Sequence, residues 1–237
     1  MKPLFLSLFA SLVMGLPLAH AQTHYTILLI GDSTVEERPE THRSQGWGAF
    51  LGKYLNPPWK VVNCAKSGAS TKTFLDTPEW ARAQTVPCDY LFIQFGHNDS
   101  HGKGRPESTD AKTDYRDYLR GYVEFARSKG IKPVLVAPMH RRTFYPDGRL
   151  RDKLKPYVEA VKVVAAELNV PVIDLHEPSG KKFAELGDAG SEDLTAPNDR
   201  THFSRKGADW MASEVARQAA RIDPVLKQAF APKSPTP

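Results

Sequence analysis

Ser33 stands in the run Gly31-Asp32-Ser33-Thr34, a setting in which a hydroxyl on a tight turn can serve as a nucleophile. Such a hydroxyl needs a base within hydrogen-bond reach, and the base needs an acid to fix its tautomer and stabilise its charge. Asp199-Arg200-Thr201-His202 carries both remaining residue types on one short segment. At that spacing the Asp199 carboxylate can reach one imidazole nitrogen of His202 while the other nitrogen points to Ser33. Attack on a carbonyl also creates an oxyanion, which calls for fixed donors. The N–H of Gly68, where no side chain blocks approach, the carboxamide of Asn98 and the N–H of Ser33 are the candidate oxyanion hole. This chemistry requires no metal and no organic cofactor, and none is expected.

Each residue alone has a plainer reading. A Ser after Gly-Asp is most often a turn or helix cap, Asp199 and Asn98 suit turns, and a lone His is more often structural than catalytic. Their joint order gains weight from the elements that must position them. Five short aliphatic stretches read as buried strands: Tyr25–Gly31, Trp59–Asn63, Asp89–Phe95, Lys132–Pro138 and Val170–Leu175. Helical spacing lies between and after them. One face is Trp47, Phe50, Leu51 and Tyr54, and a second is Tyr115, Leu119, Tyr122 and Ala126. A third is Val158, Val161, Ala165 and Leu168, with Pro156 suited to its first turn, and a last is Ala208, Met211, Val215 and Ala219. Strands alternating with helices predict an α/β fold of three layers around a five-stranded parallel sheet with right-handed crossovers.

Ligands bind such sheets at the carboxyl ends of the strands. Gly31–Thr34 follows the first strand, Asn63–Gly68 the second, Gly96-His97-Asn98-Asp99 the third and Met139-His140-Arg141-Arg142 the fourth. All four polar clusters therefore fall on one edge.

The length of 237 residues suits one full domain, and 41 % apolar with 25 % charged residues excludes collagen-like, coiled-coil and wholly disordered chains. The formal charge of +5 is modest and scattered, so no nucleic-acid partner is expected. Lys2, the uncharged apolar run from Leu4 to Leu18 and Ala19-His20-Ala21 have the layout of a secretory signal peptide cleaved after Ala21. The expected organisation is a signal peptide at 1–21, one domain at 22–230 and a disordered tail at 231–237. The mature protein should be exported, periplasmic or secreted, free of the membrane and monomeric. The two cysteines, Cys64 and Cys88, are placed at opposite edges of the sheet, too far apart for a disulfide, so both thiols should be free.

Gly31-Asp32-Ser33, Gly68 within Asn63–Ser70, Gly96-x-Asn98-Asp99 and Asp199-x-x-His202 together resemble the four blocks of the SGNH (GDSL-type) hydrolase superfamily. Within it, Gly31–Val35, Gly46-Trp47-Gly48, Ile93–Asp99 and Thr201-His202-Phe203 resemble the rhamnogalacturonan acetylesterase family, from about Tyr25 to about Ala220. The resemblance implies a flavodoxin-like fold and a serine esterase acting on acetylated plant cell-wall polysaccharide, above all rhamnogalacturonan, through an acetyl-enzyme. Ala69 stands where many members carry Arg after the second-block glycine, which bears on substrate preference.

The rival readings differ in chemistry. An α/β-hydrolase elbow, Gly-x-Ser-x-Gly, is absent because Val35 occupies the second glycine position. His97 and His101 suggest a metallophosphoesterase, but a two-metal site needs carboxylates and histidines from several loops, so both are read as supporting or rim residues. An acetyl xylan esterase, a lipase or thioesterase of the same superfamily, and a non-catalytic carbohydrate-binding protein remain as alternatives. His140, Arg141 and Arg142 are candidate substrate-binding residues, since a guanidinium suits a galacturonate carboxylate.

Overall fold

The computed structural model describes residues 24–231. The expected signal peptide, and the expected tail beyond its first residue, lie outside the described residues.

Five strands, β1 (Thr26–Gly31), β2 (Lys60–Asn63), β3 (Tyr90–Gln94), β4 (Lys132–Ala137) and β5 (Val172–Asp174), pair in parallel in the order β2-β1-β3-β4-β5. This is the flavodoxin-like, doubly wound order, in which the direction of winding reverses beside β1 and β3. Each strand falls within the stretch expected for it and is one or more residues shorter. Alternating side chains feed two apolar layers, because both faces of a parallel sheet are covered. Leu28, Ile30, Leu91, Ile93 and Leu135 pack beneath α1 (Pro78–Ala83), α2 (Asp114–Ser128) and α3 (Lys155–Leu168). Ile27, Leu29, Phe92, Val134 and Ile173 pack against α4 (His176–Gly190), α5 (Arg205–Ala219) and α6 (Pro224–Ala229).

The expected helices at α2, α3 and α5 form, and Pro156 occupies the first turn of α3. The face at Trp47–Tyr54 differs, forming two 3-10 turns, Trp47–Ala49 and Leu51–Tyr54, in place of an α-helix. The segment is anchored locally. The N–H groups of Gly46, Trp47 and Gly48 are taken by the carbonyls of Glu36, Thr34 and Val35, at 2.9, 2.9 and 3.2 Å. Those bonds hold this segment against the backbone that follows Ser33. The short helices α1 and α6, and α4 with Pro178, Gly180 and a non-helical Gly187, carry too weak a periodicity to be read from sequence.

Cys64 and Cys88 are free and buried in the layer beside α1 and α2. Burial, then Asp89 and Cys64, push the Cys88 thiol up to about 12, so it is protonated at neutral pH. No helix among the described residues is long and apolar enough to cross a membrane.

Gly46 is the tightest point of the contact behind Ser33. A Cβ there would lie 2.3 Å from the Val35 carbonyl carbon and 2.5 Å from the Glu36 nitrogen, both backbone atoms with little freedom to yield. Gly46→Ala should cost about 1–3 kcal/mol, as overpacking generally does, and lower the urea midpoint with the slope unchanged. An unshifted midpoint would contradict the packing described here.

Candidate active site

The carboxyl ends of β1 and β3 flank the crevice where the sheet changes its winding direction, and the turn after β1 carries Ser33. Asp32 shapes this turn. Its Oδ1 accepts from the Thr34 N–H at 2.8 Å and the Thr34 hydroxyl at 2.7 Å, while its carbonyl accepts from the N–H groups of Val35 and Glu36. The Thr34 hydroxyl in turn accepts from Gln94 Nε2 at 2.6 Å, and Gln94 Oε1 accepts from Trp47 Nε1 at 2.6 Å. All four residues are fully buried.

His202 reaches Ser33 from the loop before α5. Thr195 and Gln45 both bridge to Phe203, which pins that loop beside the 3-10 turns. Asp199 Oδ1 accepts from the N–H groups of Thr201 and His202 at 2.8 and 2.9 Å, and Oδ2 faces His202 Nδ1 at 2.9 Å. His202 Nε2 lies 3.0 Å from Ser33 Oγ. With a carboxylate at Nδ1, that nitrogen carries the proton and Nε2 offers its lone pair to the serine hydroxyl. Burial opposes charge on Asp199, but the His202 and Thr201 N–H groups and the His202 ring outweigh it and hold the carboxyl at about 2. Asp199 is therefore ionised across the whole working range of an esterase. Because this value lies below the ordinary one, the stabilisation it brings is complete above about pH 4 and is lost as pH falls through 2.

Gly68 is exposed, and nothing lies within 4 Å of where its Cβ would stand. Among the described residues no acceptor takes the N–H of Gly68 or of Ser33. Asn98 Nδ2 donates to the Ala69 carbonyl at 2.8 Å, which orients the carboxamide and leaves its second N–H unused. The structure thus places Ser33, Asp199, His202, Gly68 and Asn98 at one edge of the sheet.

It divides the three residues after β4. Arg141 turns toward the site, donating from Nη2 to the His97 carbonyl at 2.9 Å and from Nη1 to the Thr201 hydroxyl. Arg142 points the other way, with Nε donating to Thr195 Oγ1 at 2.9 Å and Nη1 paired with Asp188, its side chain 6 % exposed. His140 is buried and stacked on His176, with ring centroids 3.7 Å apart. Of the three candidate substrate-binding residues, only Arg141 reaches His97 and Thr201; His140 packs on His176, and Arg142 is tied to Thr195 and Asp188.

Glu36 and Arg38 carried no local sequence signal. The Arg38 guanidinium donates to the Ser33 carbonyl at 3.2 Å and Ser67 Oγ at 3.3 Å, and pairs with Glu36 at 2.9 Å. Glu36 Oε1 accepts the Ser67 N–H at 3.1 Å, so this half-buried pair ties the Ser33 turn to the segment carrying Gly68. Asp99 accepts from Gly96 N–H, Thr71 N–H and the hydroxyls of Thr71 and Thr109. Burial still raises its carboxyl to about 7 against those donors. His97 is buried with Nδ1 3.4 Å from Asp32 Oδ2, and burial pushes its imidazole below the ordinary value despite that carboxylate. His101 lies further out, paired with Glu107 at 2.7 Å.

Known proteins share this architecture. The GDSL-like Lipase/Acylhydrolase family profile matches residues 29–210. The chain is 41 % identical to the probable rhamnogalacturonan acetylesterase YesY of Bacillus subtilis over 204 residues, covering 81 % of this chain and 90 % of that protein. It is 36 % identical to the rhamnogalacturonan acetylesterase RhgT of the same organism, covering 85 % and 92 %. Among solved structures, YxiM of Bacillus subtilis superposes with a TM-score of 0.73 at 26 % identity over 83 % of this chain, which spans only 56 % of that one. The acetylxylan esterase Axe2 of Geobacillus stearothermophilus gives 0.66 at 21 % identity, covering 83 % and 94 %, a likeness of fold. The serine turn, the carboxylate-bound imidazole and these relatives agree: the chain belongs to the GDSL-like lipase/acylhydrolase family and is a carboxylic ester hydrolase.

Proposed function

We propose that this protein is an exported serine esterase that removes O-acetyl groups from rhamnogalacturonan, with Ser33 as nucleophile, His202 as base and Asp199 as its orienting acid. The observation that carries the reading is the hydrogen-bonded line from Asp199 through His202 to Ser33, at a sheet edge where the N–H groups of Ser33 and Gly68 have no acceptor among the described residues. The polymer is drawn from the acetylesterase relatives, and export from the Lys2 to Ala21 layout. His202 Nε2 takes the Ser33 proton as Oγ bonds to the acetyl carbon, and the carbonyl oxygen becomes an oxyanion. The N–H groups of Ser33 and Gly68 and the free N–H of Asn98 receive that charge. Collapse expels the sugar oxygen, which takes the proton from His202. Water then attacks the acetyl-enzyme by the same route, releasing acetate and restoring Ser33.

Arg141 is the residue we assign to the acidic backbone of the polymer. Its guanidinium spends one N–H on each of His97 and Thr201 and keeps further donors for a galacturonate carboxylate.

Ser33→Ala should lower ester hydrolysis by about 10⁴–10⁶ with circular dichroism unchanged, and Asn98→Ala by about 10²–10³ in kcat. A folded Ser33→Ala protein with near-normal turnover contradicts the assignment. Arg141→Ala should raise KM for acetylated pectin fragments by roughly 10–100-fold, the worth of a charge-assisted contact, while a neutral acetate ester is affected far less. Added salt should weaken the acidic substrate alone. Equal effects on both substrates would instead favour a neutral polymer such as acetylated xylan. Acyl chain length gives an independent check, because polar loops offer no apolar burial to longer acyl groups. Acetate esters should be cleaved clearly faster than octanoate esters, and the reverse order would indicate a lipase.

A further inference from the structure

We propose that His140, Asp152 and His176 form a binding site for one transition-metal dication, with Zn²⁺ as the best match, separate from the ester-cleaving residues. One ligand atom from each of the three residues lies within 4.8 Å of the others. His176 Nε2 is 2.9 Å from Asp152 Oδ1, and the two imidazoles face each other at 3.7 Å with a 32° tilt. Two ring nitrogens and one carboxylate oxygen suit a borderline ion that takes N and O donors, leaving a fourth position to water. Mg²⁺ and Ca²⁺ select oxygen donors and fit this set poorly.

The cluster is built into the fold. His140 is 8 % exposed and its imidazole makes no hydrogen bond among the described residues, which leaves its ring nitrogens free for a ligand. Its backbone N–H is held at 2.9 Å by Ser179 Oγ, and that hydroxyl donates to the His176 carbonyl at 3.0 Å. One serine therefore fixes the backbone of both histidines. Gly180 makes space for the ring, since a Cβ there would fall 2.7 Å from His140 Nε2. Asp152 Oδ1 also accepts the Lys155 N–H at 2.9 Å, which steadies the carboxylate at the start of α3. Around Zn²⁺, bonds of about 2.0–2.2 Å place ligand atoms roughly 3.3–3.6 Å apart. Asp152 and His176, 32 % and 13 % exposed, have the freedom to close that difference and leave the ion a route in.

A bound ion would join the segment after β4, the approach to α3 and the start of α4. Its effect would then be on the stability of the loops that carry Arg141, and the chemistry at Ser33 has no need of it.

The test uses the full purified protein, stripped with EDTA and dialysed, then titrated with Zn²⁺ or Mg²⁺ while bound metal and the thermal midpoint are measured. The same titration in His202→Ala removes uptake by the imidazole beside Ser33. One equivalent of Zn²⁺ should bind in both proteins. The midpoint should rise by about 5–10 °C at a hundredfold excess over Kd, and Mg²⁺ should do nothing. Asp152→Asn and His176→Gln should each abolish the equivalent and the shift. If either fails to fold, the other decides. No saturable Zn²⁺ uptake, or uptake unchanged in a folded variant, overturns the proposal.

Discussion

The structure turns on a chain of buried hydrogen bonds running from Trp47 Nε1 to Gln94, from Gln94 to Thr34, and from Thr34 to Asp32. It links the end of β3, the turn after β1 and the 3-10 segment, which are far apart in sequence. None of its members is exposed, so each donor or acceptor left without its partner would cost about 1–3 kcal/mol. That asymmetry makes the chain a constraint more than a source of stability. The Ser33 turn has one low-energy position, and the carbonyls of Thr34, Val35 and Glu36 are fixed where Gly46, Trp47 and Gly48 can meet them. Ser33 itself contributes none of these bonds, which leaves its hydroxyl for His202 and its N–H without an acceptor among the described residues.

Two further groups bring the remaining arms to that fixed point. Asp99, receiving donors from Gly96, Thr71 and Thr109, binds the turn bearing Asn98 to the segment after Gly68. Tyr122 adds a hydroxyl bond to the Thr71 carbonyl at 2.7 Å, tying the same segment to α2. On the other side, Arg38 and Glu36 connect the Ser33 carbonyl to Ser67. The donors proposed for the oxyanion hole are thus held by polar groups whose hydrogen bonds are already made, a preorganised arrangement that need not reorder as charge develops.

Much of this was legible in the chain. β1 and β3 are uninterrupted aliphatic runs, and the polar clusters at their ends follow from the rule that parallel sheets bind at the carboxyl edge. Asp199 and His202 were readable as a pair because their spacing lets one residue cap the backbone and the ring of the other. The partnerships of Gln94 with Thr34 and of Arg38 with Ser33 were not, because they join positions that no local periodicity relates. His140 and Arg142 show the limit of placing residues by strand end alone. Being next to Arg141 said nothing of direction, and only the packing of α4, with Gly180 and Asp188, shows where those side chains go. The glycines within α4 hid that helix, and with it the reason for the inward turn.

The assignment of Ser33 is tested most directly by an organophosphorus serine reagent, whose phosphorus is attacked by the activated Oγ with loss of its leaving group. Peptide mapping by mass spectrometry, run beside the loss of acetate-ester hydrolysis, should find one adduct per chain on Ser33, forming in step with inactivation and absent from His202→Ala. Inactivation with Ser33 unmodified, or full activity with Ser33 fully labelled, would contradict it.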